Sequence, residues 1–189
     1  MYIKKRRDLY LALMLFGIVY FVVGCGAMSS GGAGSQWTPG MYDKGGSHIH
    51  YAKPPSDKWA VYEDPELSIA YYNKETGSII SFDAEHHTGK TNPKEAFEEF
   101  ETELKKTFNG KLSVVEEKPT TALGLTGHYA KVEGLREKDQ SKVYFIHYFL
   151  VKDGKIITFD ATQQSTVDES KRQKYLDAFN YFMNNIQFH

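Results

Sequence analysis

Two groups of histidines and acidic residues have the types and spacing that could bind a metal. His48 and His50 stand two positions apart, so in an extended segment both rings point the same way. Glu85, His86 and His87 form the second group. Imidazole and carboxylate groups bind Zn²⁺ or Cu²⁺ where enough ligands converge. Neither group repeats the ligand spacing of firm zinc motifs, so we predict solvated loops, no metal and no cofactor.

A second set of titratable residues falls within predicted strands. Asp83 and Asp160 could form an acid–base couple, but a carboxylate in a strand destabilises the fold unless it is paired or exposed. We predict that both are exposed, because aspartate is rarely buried. His147 shares a strand face with aromatic and aliphatic residues, which favours a hydrogen-bonded, partly buried histidine over a catalytic base. His128 is open to either role.

Tyrosines are numerous, and known catalytic motifs are absent from the sequence. The predicted strands carry tyrosines that could form an aromatic binding surface, although most of them should pack in the sheet. These are Tyr62, Tyr71, Tyr72, Tyr129, Tyr144 and Tyr148. No phosphate-binding loop, Gly-x-Ser-x-Gly turn or His-Glu-x-x-His pattern occurs. The sequence therefore predicts a protein that is not an enzyme and that uses no catalytic residues.

Cys25 is the only cysteine in the 189 residues, and it follows a short apolar run. Four basic residues at 4–7 precede 15 apolar-rich residues at 9–23, and Gly24 is small. A run of this length suits a secretory signal and is shorter than the roughly 20 residues that cross a bilayer. The order resembles a bacterial lipoprotein signal. That resemblance implies cleavage between Gly24 and Cys25 and a diacylglycerol on the Cys25 sulfur.

A lipid anchor at Cys25 would have consequences for chemistry and location. Two or more acyl chains hold a protein firmly at a membrane. An acylated sulfur offers no thiolate, so Cys25 would not act as a nucleophile. Gly26 stands at the position after the cysteine where many lipoproteins of the inner membrane have a retaining aspartate. We therefore expect the outer membrane in a host with two membranes, and otherwise the outer face of the cytoplasmic membrane. The alternatives are an uncleaved membrane helix and an ordinary signal peptide.

The charge balance argues against nucleic acid as a partner. The leader at 1–24 holds four of the 23 basic and one of the 24 acidic residues, which leaves 19 against 23 and a formal charge of −4. Such a surface has no basic excess to attract nucleic acid or anionic lipid head groups. We expect the membrane to be contacted through the anchor at Cys25.

Composition divides the chain into three parts. Residues 1–24 are the predicted signal peptide, and 25–55 are rich in glycine and serine, which predicts a flexible tether. Residues 56–189 are the predicted globular domain. Within the domain, Asn92 and Pro93 suit the start of a helix, and Asp153-Gly154 suits a tight hairpin turn. A closing helix is expected to start near Thr166.

Strand and helix periodicities alternate along the domain. We expect strands over 59–62, 67–72, 78–84, 112–117, 126–133, 142–151 and 155–162. These elements predict an α+β protein whose antiparallel sheet has about six to seven strands, with two main helices packed on it.

The element order resembles the PsbP-like fold, named for an extrinsic subunit of photosystem II. The features that carry the resemblance are Trp59, the hairpin at 67–84, the helix from Pro93, the hairpin at 142–162 and the closing helix to Phe188. The resemblance implies a non-catalytic binding or assembly module. We therefore expect a membrane-anchored envelope lipoprotein that binds another envelope protein. The alternatives are an envelope metal- or small-molecule-binding protein that uses its histidines, and a hydrolase with unrecognised carboxylates.

Overall fold

The computed structural model describes residues 36–44, 47–63, 67–84, 90–136, 140–164 and 167–189. These ranges form ten strands and two helices. The strands are β1 (Thr38–Lys44), β2 (Ser47–Lys53), β3 (Trp59–Val61), β4 (Ile69–Asn73), β5 (Ile79–Asp83), β6 (Leu112–Ala122), β7 (Leu125–Leu135), β8 (Lys142–Lys152), β9 (Lys155–Gln164) and β10 (Gln187–Phe188). The helices are α1 (Pro93–Thr107) and α2 (Glu169–Asn184). Neither helix is long and apolar enough to cross a bilayer.

The strands of the described ranges form two antiparallel sheets. The main sheet has seven strands in the order β3-β4-β5-β9-β8-β7-β6, and the small sheet has the order β1-β2-β10. The predicted α+β architecture is thereby confirmed. Asp153 and Gly154 join β8 to β9 with φ angles of 51° and 74°, and this left-handed pair is what a type I′ turn requires.

The two helices cover opposite faces of the main sheet. Side chains alternate between faces along a strand, so neighbouring residues of β8 belong to different cores. Phe149 packs with Phe97 and Phe100 of α1. Leu150, the next residue, belongs to the core that contains Phe179 of α2. The small sheet packs on the same side as α2.

The side chains of Asn92 and Asp168 cap the N-termini of the two helices. The side chain of Asn92 accepts the Lys94 backbone N–H at 3.0 Å, as predicted for α1. Asp168 accepts the Lys171 N–H at 2.9 Å and is the N-cap of α2. The expected start near Thr166 is therefore wrong by three residues, because Asp168 performs the capping.

Strand β6 continues past the proline at which it was expected to stop. Pro119 lies within β6 and pairs with His128 of β7. A proline has no N–H to donate. It is tolerated in β6 because β6 is an edge strand, with no further strand on its outer side that would need this hydrogen bond. Leu123 and Gly124, with φ angles of 55° and 73°, then turn the chain into β7.

The small sheet corrects the predicted boundary at Ser56. Strands β1 and β2 lie inside the segment 25–55 that was expected to be a flexible tether. Ile49 of β2 is only 2% exposed and pairs with Phe188 of β10. Trp37, also inside the predicted tether, packs its ring 4.7 Å from that of Tyr181 on α2. The folded unit therefore includes the described residues from Gln36 onward.

Candidate functional site

A groove of about 970 Å³ lies between the β1–β2 hairpin and the β3–β4 edge of the main sheet. We call it the aromatic groove. This volume is at the upper end of the roughly 300–1,000 Å³ typical of ligand sites. Its lining includes Tyr42, Tyr51, Trp59, Val61, Tyr62, Leu67 and Tyr71, together with Lys53, Glu63 and Lys74. The groove therefore combines aromatic area with charges of both signs.

A tyrosine pair joins the two walls of the aromatic groove. The hydroxyl oxygens of Tyr51 on β2 and Tyr71 on β4 are 3.1 Å apart, so this hydrogen bond links the small sheet to the main sheet. Both rings also lie within 6.4 Å of the Phe182 ring. Burial, with a smaller contribution from the Tyr51 hydrogen bond, raises the pKa of Tyr71 far above its usual range. Tyr71 therefore keeps its proton at neutral pH.

Trp59 is held in the groove by α2. Its ring lies 6.1 Å from that of Tyr175 in a stacked arrangement. The Tyr175 hydroxyl donates towards the carbonyl oxygens of Ile79 and Thr162, the second at 3.1 Å. Burial raises the pKa of Tyr175 well above 10. Tyr175 therefore links Trp59 on the edge strand β3 to strands β5 and β9 at the centre of the main sheet.

His147 and Asp160 form a buried pair on the α1 face of the main sheet. The His147 Nδ1 atom is 2.5 Å from Oδ1 of Asp160, and His147 is 0% exposed. The predicted hydrogen bond of His147 is present, but the ring is fully rather than partly buried. Phe100 of α1 packs edge to face against the His147 ring, with centroids 4.5 Å apart. The pair does not line the aromatic groove.

The prediction that Asp83 and Asp160 are exposed is wrong, because both are 6% exposed. His147 compensates Asp160, and the Ser68 hydroxyl lies 3.3 Å from Asp83 Oδ1. Asp83 pairs in register with Thr158, so the two aspartates share the α1 face of neighbouring strands. Neither carboxylate lines the aromatic groove, which gives no support to the hydrolase alternative.

His128 is buried near the start of α1. It lines a second cavity of about 400 Å³ together with Asn92, Pro93 and Lys94. The Nε2 atom lies 3.1 Å from Oε1 of Glu117, a close charge contact that does not meet the geometry of a hydrogen bond. Its ring packs 5.4 Å from Phe97. Packing against α1 is the role that these contacts support.

His48 and His50 lie in β2 rather than in the predicted solvated loop, and both are exposed. The His48 Nδ1 atom is 3.1 Å from Oδ1 of Asp43 on β1. The His50 ring is 4.5 Å from that of His189, which sequence spacing gave no reason to group with it. Within the described ranges, no three His, Cys, Asp or Glu side chains are arranged to hold a metal ion.

Of the remaining predicted tyrosines, Tyr62 lines the groove, Tyr72 is 38% exposed on β4 outside it, and the other three lie on β7 and β8. Tyr129 and Tyr148 pack edge to face at 5.0 Å and are partly buried. Burial raises the pKa of Tyr129 to about 12. Lys118 lies 5.2 Å over the Tyr129 ring, and Arg172 of α2 lies 5.1 Å over that of Tyr144.

Several predicted features lie outside the described residues. These are the signal peptide at 1–24, its cleavage site at Gly24, the lipidation site at Cys25, and the Glu85, His86 and His87 group.

Comparison with known proteins identifies the fold. No protein-family model matches the chain, and no curated protein matches it. The solution structure of CyanoP, the cyanobacterial PsbP from Synechocystis sp. PCC 6803, is similar over 86% of this chain and 98% of its own, with a TM-score of 0.58 and 15% identity. The crystal structure of the Saccharomyces cerevisiae Ran-binding protein Mog1p is similar over 80% and 96%, with a TM-score of 0.51 and 14% identity. The chain therefore has a PsbP-like α+β fold.

Proposed function

We propose that this chain is a lipid-anchored envelope lipoprotein whose domain binds a segment of another envelope protein in the aromatic groove, without catalysis. The observation that carries the proposal is the groove itself. Tyrosine and tryptophan offer large apolar area with a polar tip, and they dominate the energetics of protein interfaces. Tyr42, Tyr51 and Tyr62 line the groove and are partly exposed there, while Trp59 and Tyr71 line it from buried positions on the main sheet.

The charged residues of the groove suit a peptide segment. Lys53, Glu63 and Lys74 line it beside the aromatic rings. The Lys74 Nζ atom donates to the Ser56 carbonyl at 2.6 Å, which holds this cation near the groove. A polar border around an apolar centre is the usual anatomy of a protein interface.

The position of the groove along the chain suits a membrane anchor. Gln36 and Thr38 line the groove, and Gln36 follows Cys25 by eleven residues. A fully extended chain spans at most about 3.6 Å per residue, so lipid at Cys25 would keep the groove within about 40 Å of the bilayer. Confinement of this kind raises the local concentration of the domain around a membrane-bound partner.

The shared fold is consistent with a binding role. Mog1p is named as a Ran-binding protein, and this chain has the same fold. Fold similarity does not establish a function, so the proposal depends on the groove and its residues.

The test is site-specific photocrosslinking in native membranes. A photoreactive phenylalanine analogue would replace Val61, which lines the groove on edge strand β3 and is 62% exposed. The matched control is Val115, which is 54% exposed on edge strand β6 at the other side of the main sheet. We expect one repeatable protein adduct from position 61 and none of that mass from position 115. Equal adducts from both positions, or none from either, would overturn groove binding.

The anchor is tested separately with Cys25→Ser. We expect the variant to accumulate as an unlipidated precursor, while the unaltered chain incorporates a labelled fatty acid. A variant that still incorporates label would contradict lipidation at Cys25. The crosslinking experiment remains informative in that case, because it reports on the groove and not on the anchor.

A further inference from the structure

The edge strand β3 directs backbone groups outward beside the aromatic groove. In the β3–β4 pair, the Tyr62 N–H donates to the Ala70 carbonyl at 2.9 Å, and the Lys74 N–H donates to the Lys58 carbonyl at 2.8 Å. Hydrogen-bonded and non-hydrogen-bonded positions alternate along an antiparallel strand, so positions 58, 60 and 62 bond to β4. The backbone N–H and C=O of Val61 therefore point away from β4, towards the outer side of the sheet.

Trp59, two positions before Val61, has the same backbone orientation. Its N–H is already used, because it donates to the Pro55 carbonyl at 2.9 Å, but its C=O is directed outward. Within the part of the chain that the structure describes, no hydrogen bond is made to the Val61 N–H, the Val61 C=O or the Trp59 C=O. These three groups are able to pair with a further strand.

The opposite edge of the main sheet is protected against such pairing. Strand β6 contains Pro119, which has no N–H, and its register with β7 shifts between Val114 and Glu116. Prolines and bulges are devices that keep sheet edges from pairing with other chains. Strand β3 pairs with β4 without a register shift and contains no proline. It is therefore the open edge of the main sheet.

The aromatic groove supplies the contacts that a strand of three residues lacks. Val61 lines it from the main sheet, and Tyr42 and Tyr51 line it from the β1–β2 hairpin, with about 970 Å³ of space. A further strand lies about 4.8 Å from its neighbour, so it would run within this space. In strand addition, main-chain hydrogen bonds hold the segment, and pockets for alternate side chains select it.

The charges of the groove favour an acidic segment. Lys53 and Lys74 line it and are exposed, and Glu63 is the acidic residue of its described lining. No ion pair with an acidic side chain is formed by either lysine within the described ranges. The groove is therefore locally positive, although the chain after residue 24 has a formal charge of −4. Complementary charge selects partners and speeds their association.

We propose that the partner segment binds as an added β-strand on β3, bonded to the outward backbone groups of Trp59 and Val61, with an acidic side chain near Lys53 and Lys74. This inference rests on the proposed function, because it specifies how the same groove holds its partner. An extended segment can bond to the open edge, whereas a helix uses its own N–H and C=O groups internally. A second copy of this chain is the alternative occupant.

The test repeats the photocrosslinking in native membranes with the photoreactive phenylalanine analogue at Tyr42, on the hairpin side of the groove. In that background, V61P removes the outward N–H of β3, at the kind of edge position where proline is tolerated. We expect the yield of the partner adduct to fall about tenfold, because one hydrogen bond is lost and its acceptor is left unsatisfied. K53E should also lower the yield.

The matched control is T121P. Thr121 is exposed and lies two residues after Pro119 on edge strand β6, so its N–H also faces outward, but away from the groove. T121P should leave the yield unchanged. Circular dichroism checks that both proline variants fold.

Hydrogen exchange on the purified adduct gives a second readout that needs no proline. The Val61 amide should exchange about tenfold more slowly in the adduct than in the free chain, because the added strand accepts its hydrogen bond. This result decides the question if V61P does not fold.

The outcomes separate this inference from the proposed function. Full adduct yield from folded V61P, or an unprotected Val61 amide, would overturn strand addition while groove binding stands. Unchanged yield from K53E would overturn the acidic character of the segment. No protein adduct from position 42 or 61 would overturn both proposals. An adduct with the mass of two copies of this chain would overturn the assignment to another envelope protein.

Discussion

His147 and Asp160 face each other across β8 and β9 as a cross-strand pair, with Nδ1 and Oδ1 2.5 Å apart and no exposure of the histidine. The aromatic rings of Phe100, Phe145 and Phe149 lie within 6.2 Å of the imidazole. The pair is therefore a polar contact enclosed by the α1 core and away from the aromatic groove.

Removing one member of this pair should destabilise the fold strongly. H147L leaves Asp160 without its buried partner, and D160V does the same to His147. Losing one partner of a buried pair typically costs about 3–5 kcal/mol. The double variant should recover much of that loss, because an apolar pair removes both partners and gives up only the long 3.5 Å contact of the Thr158 hydroxyl with Asp160. Urea unfolding of the four proteins measures the coupling. Single variants within about 1 kcal/mol of the parent would contradict this account.

The N-cap of α2 should make stability depend on acid pH. The Lys171 N–H, and then the Ser170 hydroxyl, lower the pKa of Asp168 below its ordinary 3.8. The folded state thus prefers the carboxylate, so its contribution is complete above about pH 5 and is lost as the pH falls through and below 3.8. D168N should retain capping and show a smaller fall of Tm between pH 5 and pH 2.5.

The matched control for that prediction is Asn92, which caps α1 with an uncharged side chain. Relative to the parent protein, N92A should lower Tm by a similar amount at pH 5 and at pH 2.5, because the Asn92 side chain does not change its charge between these pH values. If D168N and the parent lose the same Tm on acidification, the Asp168 carboxylate is not a source of acid sensitivity.

The small sheet should contribute to the stability of the domain. Ile49 is buried in the core that includes Phe182 of α2. I49A should therefore lower the free energy of unfolding by about 2–5 kcal/mol, as other large-to-small core changes do. Met41 is 64% exposed on β1, so M41A is the matched control and should change it by less than about 0.5 kcal/mol. If I49A and M41A both change the free energy of unfolding by less than about 0.5 kcal/mol, the small sheet contributes little to stability.

A glycine on β7 makes room for the end of α1. A Cβ at Gly134 would lie 2.5 to 2.7 Å from three atoms of the Phe108 ring. G134A should therefore destabilise the protein by about 1–3 kcal/mol through overpacking. Adding F108L should restore part of the loss, since a smaller side chain vacates that space. Thermal unfolding of G134A, F108L and the double variant checks this. If the two single-variant losses of stability simply add in the double variant, the contact between Gly134 and Phe108 is contradicted.

Local sequence patterns predicted much of the main sheet and both helices. Helix α1 was recognisable from Asn92 and Pro93 at its start, because these signals lie next to each other in the chain. The β8–β9 hairpin was recognisable for the same reason, since Asp153-Gly154 adopts the left-handed turn regardless of distant parts of the chain.

Partners from distant segments account for the features that local patterns missed. Strands β1 and β2 have few aliphatic residues, and their burial depends on α2 and on β10 at the other end of the chain. Asp160 looked exposed because its partner, His147, lies across a strand pair. The aromatic groove likewise combines residues from two sheets.

By itself, the sequence determined the α+β class, the order of most elements and the leader-like pattern that ends at Cys25, since each is encoded over short distances. Only the tertiary structure decided that residues 36–44 and 47–55 fold, that the His189 ring lies beside that of His50, and that two aspartates are buried. The physical reason is that pairing and burial depend on which distant segments meet, and local periodicity carries no record of that.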